Sequence, residues 1–182
     1  MAAGRDALAS GVFAIGETDC LPGAYSLVLR DLEEELLPYM RRRGLGLVAY
    51  WNLAAGFLSG KYRPGMREVS GSRSEEGWLF PYEHFHPQAD EVLRSLLDEA
   101  DKLAVNPAAM AIAWVKAKTG VTSTLVGART LEQLKSSLEA DRLELPEEVV
   151  ERLDSVSELS ARYPRWMEEG QTARREGAIS IE

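Results

Sequence analysis

Apolar residues recur along this chain with two spacings, one helical and one uniform. Over residues 31–43, Leu32, Leu36, Leu37 and Met40 fall on one helical face. Asp31, Glu33, Glu34 and Glu35 place negative charge in the first turn, and Arg41, Arg42 and Arg43 place positive charge in the last, as the helix dipole favours. Gly44 then acts as a stop. Residues 45–50 (LGLVAY) are short and apolar throughout, the pattern of a strand buried on both faces of a parallel sheet. Residues 89–104 predict an amphipathic helix, with Val92, Leu93, Leu96, Leu97, Ala100 and Leu103 on its apolar face. Asn106 and Pro107 read as an N-cap and first helical position of an unusually apolar helix that runs to about Lys118, where Gly120 ends it. Residues 123–126 (STLV) predict a second buried strand. Thr130 caps a helix reaching about Ala140, and Pro146 opens a last helix carrying Val149, Leu153 and Val156.

Weaker strand signals fall at residues 11–15 and near Tyr25. Residues 63–87 are irregular, punctuated by Pro64, Gly65, Gly71, Gly77, Pro81 and Pro87. A loop of that length is usually functional or mobile. The alternation of strands and helices predicts a parallel α/β fold. The strands are too few for a closed eight-stranded barrel, which takes about 250 residues.

Composition narrows the class. The chain has 182 residues, of which 45% are hydrophobic and 27% charged, as in a soluble globular protein. No apolar run approaches the roughly 20 residues of a membrane span, and the first ten residues do not read as a signal peptide. The net charge of -8 disfavours nucleic acid and anionic membranes as partners. A single cysteine, Cys20, excludes an internal disulfide framework and suits a reducing compartment, so a cytoplasmic location is expected.

Two strand ends carry candidate chemistry. In the first, Tyr50 closes a strand, Trp51, Asn52, Leu53 and Ala54 follow, and Lys61 lies shortly beyond. An aromatic ring there can stack on a flat ligand, and a lysine can meet a phosphate as a point charge. An ordinary core tyrosine followed by a turn accounts for the same pattern. In the second, a strand ends in Gly127 with Arg129 before a helix start. Free N–H groups at a helix start attract anions, and Arg129 adds a bidentate donor. Thr130 and Gln133 also have capping-box spacing, so Gln133 can simply tie the helix end. His84 and His86 form a pair without an evident third metal ligand.

Several collinear segments together resemble the C-terminal half of the aldo-keto reductases. Tyr25-Ser26-Leu27 with Arg30-Asp31 and Glu35-Leu36-Leu37-Pro38 looks like that family's sixth strand region. Gly46-Leu47-Val48-Ala49-Tyr50 through Gly60-Lys61-Tyr62 looks like its seventh strand and loop. Ala111-Ile112-Ala113-Trp114 and Gly120-Val121-Thr122-Ser123 look like its seventh helix and turn. Gly127-Ala128-Arg129 and Glu132-Gln133-Leu134 look like its eighth strand and helix. Tyr163-Pro164 with Trp166-Met167 resembles the tail of one bacterial branch.

The resemblance implies part of a (β/α)8 (TIM) barrel, its C-terminal half with about strands six to eight. It covers residues 25–160 as a half-barrel, between an unmatched segment 1–24 and a polar tail 161–182. It implies NADPH as cofactor, aldehydes or ketones as substrates, and an NADP-dependent oxidoreductase ancestry. By position Tyr50 would stack on the nicotinamide, and Trp51, Asn52, Leu53 and Ala54 would line the diphosphate, with Lys61 near the phosphates. Gly127 and Arg129 would surround the 2′-phosphate, and Gln133, Ser136 and Ser137 would approach the phosphate and adenine. Arg73 is a further candidate from the long loop.

The departures are specific. Trp51-Asn52 stands where the family has Ser-Pro, Ser136-Ser137 where it commonly has Glu and Asn, and Pro22 about where it has a nicotinamide-binding Gln. The family's Asp, Tyr, Lys and His catalytic set belongs to the first half of the barrel and has no counterpart here, so no catalytic residue is assigned. A truncated chain inactive alone is expected. The alternative is a non-catalytic half-barrel whose open edge is covered by a second copy or a partner chain.

Overall fold

The computed structural model describes residues 19–67, 69–70, 87–159 and 167. The strand expected at 11–15, the candidate Arg73, the His84–His86 pair and the motif around Tyr163 and Trp166 lie outside the described residues.

Three parallel strands form one sheet in the order β1 (Cys20–Ala24), β2 (Gly46–Tyr50), β3 (Val121–Thr124). Among the described residues, five α-helices connect or follow them: α1 (Leu36–Arg43), α2 (Ala89–Lys102), α3 (Pro107–Lys116), α4 (Leu131–Glu139) and α5 (Glu147–Val156). Parallel neighbours need crossovers, and α1 supplies the first while α2 and α3 supply the second. The architecture is a mixed α/β fold with a small parallel sheet, consistent with part of a (β/α)8 barrel.

Four expectations shift in detail. The strand signal near Tyr25 resolves to β1, which ends one residue earlier. The first helix begins at Leu36, because Pro38 has no N–H to return to Glu34; a 3₁₀ turn over Asp31–Glu33 takes up the acidic segment. The second strand lies at Val121–Thr124 and none of its residues is buried, contrary to the buried strand expected, while Leu125 and Val126 stand beyond it, exposed. Finally, β2 is buried on one face only. Leu47 and Ala49 are fully buried, whereas Gly46 and Val48 are half-buried and Tyr50 is exposed, since no described element covers their face.

The core lies between the sheet and α2, α3 and α5. Leu47 and Ala49 meet Val92, Leu93 and Leu96 of α2, Met110 and Trp114 of α3, and Leu153 of α5 in one cluster. Helix α3 is buried all round from Ala108 to Val115, as its composition demands. Its start is set by Asn106, whose Oδ1 accepts from the Ala108 N–H at 2.8 Å, with Pro107 at the first helical position. Glu99 of α2, almost wholly buried, is held by Lys102 at 2.7 Å and by Arg152 of α5 at 3.0 Å.

Candidate functional site

The carboxyl ends of β2 and β3 open onto a cavity of about 830 Å³, within the range of small-molecule sites. Three segments build its wall. The first is the loop leaving β2. Trp51, Ala54 and Ala55 all adopt positive φ (63°, 47° and 56°), conformations that non-glycine residues rarely hold. The Ala54 N–H closes a turn on the Trp51 carbonyl at 2.7 Å, and Ser59 Oγ donates to the Gly56 carbonyl at 2.6 Å. Such strain persists only where the surroundings over-determine it, and it concentrates at functional sites.

The second segment is the end of β3. The Leu125 N–H donates to the Ala49 carbonyl at 2.7 Å, and Asn52 Nδ2 donates to the Leu125 carbonyl at 2.9 Å. Asn52 is 3% exposed, and its Oδ1 has no hydrogen-bond partner among the described residues. The two strand ends are thus pinned together at the cavity floor. The third segment is the start of α4. Thr130 Oγ1 accepts from the Gln133 N–H at 3.2 Å, while Gln133 Oε1 accepts from the Arg129 N–H at 2.9 Å. This is a capping exchange displaced by one residue, because the returned bond goes to Arg129 and not to the cap itself.

The residues expected at the site converge on this cavity, with one exception. Tyr50, Trp51, Asn52, Leu53, Lys61, Gly127, Arg129, Gln133, Ser136 and Ser137 all line it. Ala54 does not: it is fully buried in the core. Tyr50 and Trp51 are 41% and 36% exposed. Lys61 is exposed and has no ion pair among the described residues, whereas Gly127 has open space where a Cβ would stand.

The two serines are already engaged. Ser137, buried, donates to the Gln133 carbonyl at 2.9 Å, and Ser136 Oγ accepts from Asn106 Nδ2 at 3.2 Å. Asn106 therefore serves twice, as cap of α3 and as a bracket to α4 across the cavity wall. Sequence reasoning recognised only the cap, since nothing local to Asn106-Pro107 signals a partner thirty residues away. Among the described residues no group of three or more His, Cys, Asp or Glu could hold a metal, and no helix is long and apolar enough to cross a membrane.

A strand-end cavity of this composition invites comparison with known proteins. The aldo/keto reductase family model matches residues 17–158, which is most of the chain. The chain belongs to the aldo/keto reductase family. It is 34% identical over 140 residues to "Protein tas" of Escherichia coli (strain K12), a match covering 77% of this chain and 40% of that protein. It is 33% identical over 132 residues to the "Uncharacterized oxidoreductase YrpG" of Bacillus subtilis (strain 168), covering 72% of this chain and 38% of that protein. It is also 33% identical over 151 residues to the "Probable voltage-gated potassium channel subunit beta" of Arabidopsis thaliana, covering 78% and 43%. The chain thus spans about two fifths of the length of these curated relatives.

Proposed function

We propose that this aldo/keto reductase chain is the C-terminal half of a (β/α)8 barrel and binds NADP(H) in the cavity between the ends of β2 and β3. The observation that carries the reading is the convergence there of two exposed aromatic rings, two cationic side chains and a helix start. Tyr50 would stack on the nicotinamide ring. Lys61 would neutralise phosphate charge, and Arg129 with the first N–H groups of α4 would hold the 2′-phosphate. The open space at Gly127 lets the ligand approach the backbone. When bound, NADPH supplies a hydride for reduction of an aldehyde or ketone. No residue here is assigned to the family's Asp, Tyr, Lys and His set, and the role proposed for this chain is to bind the nucleotide. The test is a titration of the chain with NADPH, followed by fluorescence and thermal shift. Binding weakened by Tyr50→Ala supports the reading; a steady rate of NADPH oxidation with an aldehyde, unchanged by Tyr50→Ala, contradicts the site.

A second reading, assembly without catalysis, is favoured by one observation. Leu131, Leu134 and Leu138 of α4 recur at helical spacing and are substantially exposed, as are Leu125 and Val126 beyond β3. An apolar stripe of this kind is more often covered than left in water, and a relative is named as a channel subunit. Sedimentation distinguishes the readings: a well-folded monomer that binds NADPH argues for the first, and an obligate dimer without nucleotide affinity for the second.

A further inference from the structure

Tyr50 and Trp51 are consecutive, yet both line the same cavity. In an extended strand, neighbouring side chains point to opposite faces, so one cavity should receive only one of them. The backbone resolves this at Trp51, where φ is 63° and the carbonyl is captured by the Ala54 N–H at 2.7 Å. That angle is unfavourable for a bulky residue without the local hydrogen bonds that Asn or Asp can make. Full burial does not compensate it. Trp51 stays 36% exposed, whereas Trp114, the packing tryptophan of α3, is wholly buried.

We propose that Trp51 is a specificity-determining residue that stacks on a flat aromatic group of the ligand, beside the ring held by Tyr50. The inference rests on the nucleotide reading of this cavity and changes one part of it. A diphosphate gains little from an indole face, because the ring's quadrupole is negative there. A flat ring gains dispersion and stacking from the same face. The cavity would therefore select ligands that carry a second planar group together with anionic groups. That planar group has two sources, a base of the nucleotide or the ring of an aromatic carbonyl compound.

The experiment compares the full-length wild type with Trp51→Tyr, which keeps a ring, and Trp51→Leu, which keeps bulk without one. Dissociation constants are measured for NADP+, for benzaldehyde in the presence of saturating NADP+, and for inorganic pyrophosphate as a ring-free control. Melting curves confirm that each variant folds. Trp51→Leu should weaken one aromatic ligand about tenfold, at the lower part of the range for a single base–aromatic stack, while Trp51→Tyr recovers most of that loss. Pyrophosphate affinity should change little. A loss for NADP+ alone identifies the nucleotide base as the stacked group, and a loss confined to benzaldehyde identifies the carbonyl compound. Equal affinities of wild type and Trp51→Leu for both aromatic ligands overturn the inference, as does an equal loss for pyrophosphate. NADP+ binding lost in Arg129→Ala, with NADP+ and benzaldehyde binding both intact in Trp51→Leu, keeps the nucleotide reading and removes this one. A wild type that binds no NADP+ removes both.

Discussion

Arg30 grips Glu33 through two parallel bonds, Nε to Oε1 at 2.8 Å and Nη2 to Oε2 at 2.8 Å. The remaining donor, Nη1, reaches the Asp154 carbonyl at 2.9 Å and Ser157 Oγ at 2.7 Å at the end of α5. Tyr25 donates to the same Glu33 carboxylate, and Lys118 pairs with the Asp154 side chain. Trp114 donates to Asp154 Oδ1 at 2.9 Å and lies 5.3 Å from the Arg30 guanidinium and 4.4 Å from the Lys118 ammonium, measured to its ring centroid. One arginine thus ties the turn after β1 to the last helix across most of the sequence.

Removing that arginine should be costly. Arg30 is 9% exposed, and Arg30→Ala takes both guanidinium donors from Glu33, leaving it the Tyr25 hydroxyl, and one donor from the Asp154 carbonyl. Breaking a buried pair from one side costs about 3–5 kcal/mol, and partial exposure of Glu33 places this case near 3 kcal/mol. Urea denaturation should report the loss as a lower midpoint with an unchanged slope.

Acid should expose the same link. Burial alone would raise the Glu33 carboxyl, but hydrogen bonds from Arg30 and Tyr25 outweigh it and hold its pKa below the ordinary glutamate range. A depressed carboxyl contributes stability that is fully present above its unfolded value, about 4.3, and is lost as pH falls through the lower folded value. Stability measured from pH 6 downward should therefore fall less steeply in Glu33→Gln than in the wild type, although the variant starts lower.

Gly46 opens β2 with no room for a side chain. A Cβ there would overlap the Thr122 side chain on β3. Thr is β-branched and stiff, so the strands must move apart. Gly46→Ala should destabilise by about 1–3 kcal/mol, the usual range for overpacking, and Gly46→Ala with Thr122→Gly should recover much of it in a denaturation cycle.

Gly127 presents the opposite case. A Cβ at this position meets nothing within 4 Å, and its φ is not in the left-handed region. Gly127→Ala should leave the melting temperature within about 1 °C of wild type, as for surface changes away from special features. Its methyl group would occupy approach space on the cavity wall, so NADPH affinity should fall several-fold. Equal loss of stability and affinity would assign Gly127 to the fold instead.

The helices were largely legible because their signals are local. Asn106-Pro107 starts α3 and Thr130 starts α4 at the positions their capping chemistry requires. Strand β1 gave only a weak signal near Tyr25, because Cys20–Ala24 contains Pro22 and Gly23 and owes its conformation to pairing with β2. Pro22 is tolerated there since β1 pairs with one strand only among the described residues. The residues that line the cavity were legible as a set of collinear motifs, yet the cavity's shape was not. The positive φ angles at Trp51, Ala54 and Ala55 carry no glycine signature, so neither the shared wall of Tyr50 and Trp51 nor the burial of Ala54 could be anticipated.

The most direct measurement is a calorimetric titration of the chain with NADPH and, separately, NADH, repeated on Arg129→Ala. The account predicts tighter binding of NADPH, with a preference that shrinks about tenfold or more when the charge-assisted bonds of Arg129 to the 2′-phosphate are removed. A cooperatively melting chain that binds neither nucleotide, or binds both equally with and without Arg129, would contradict it.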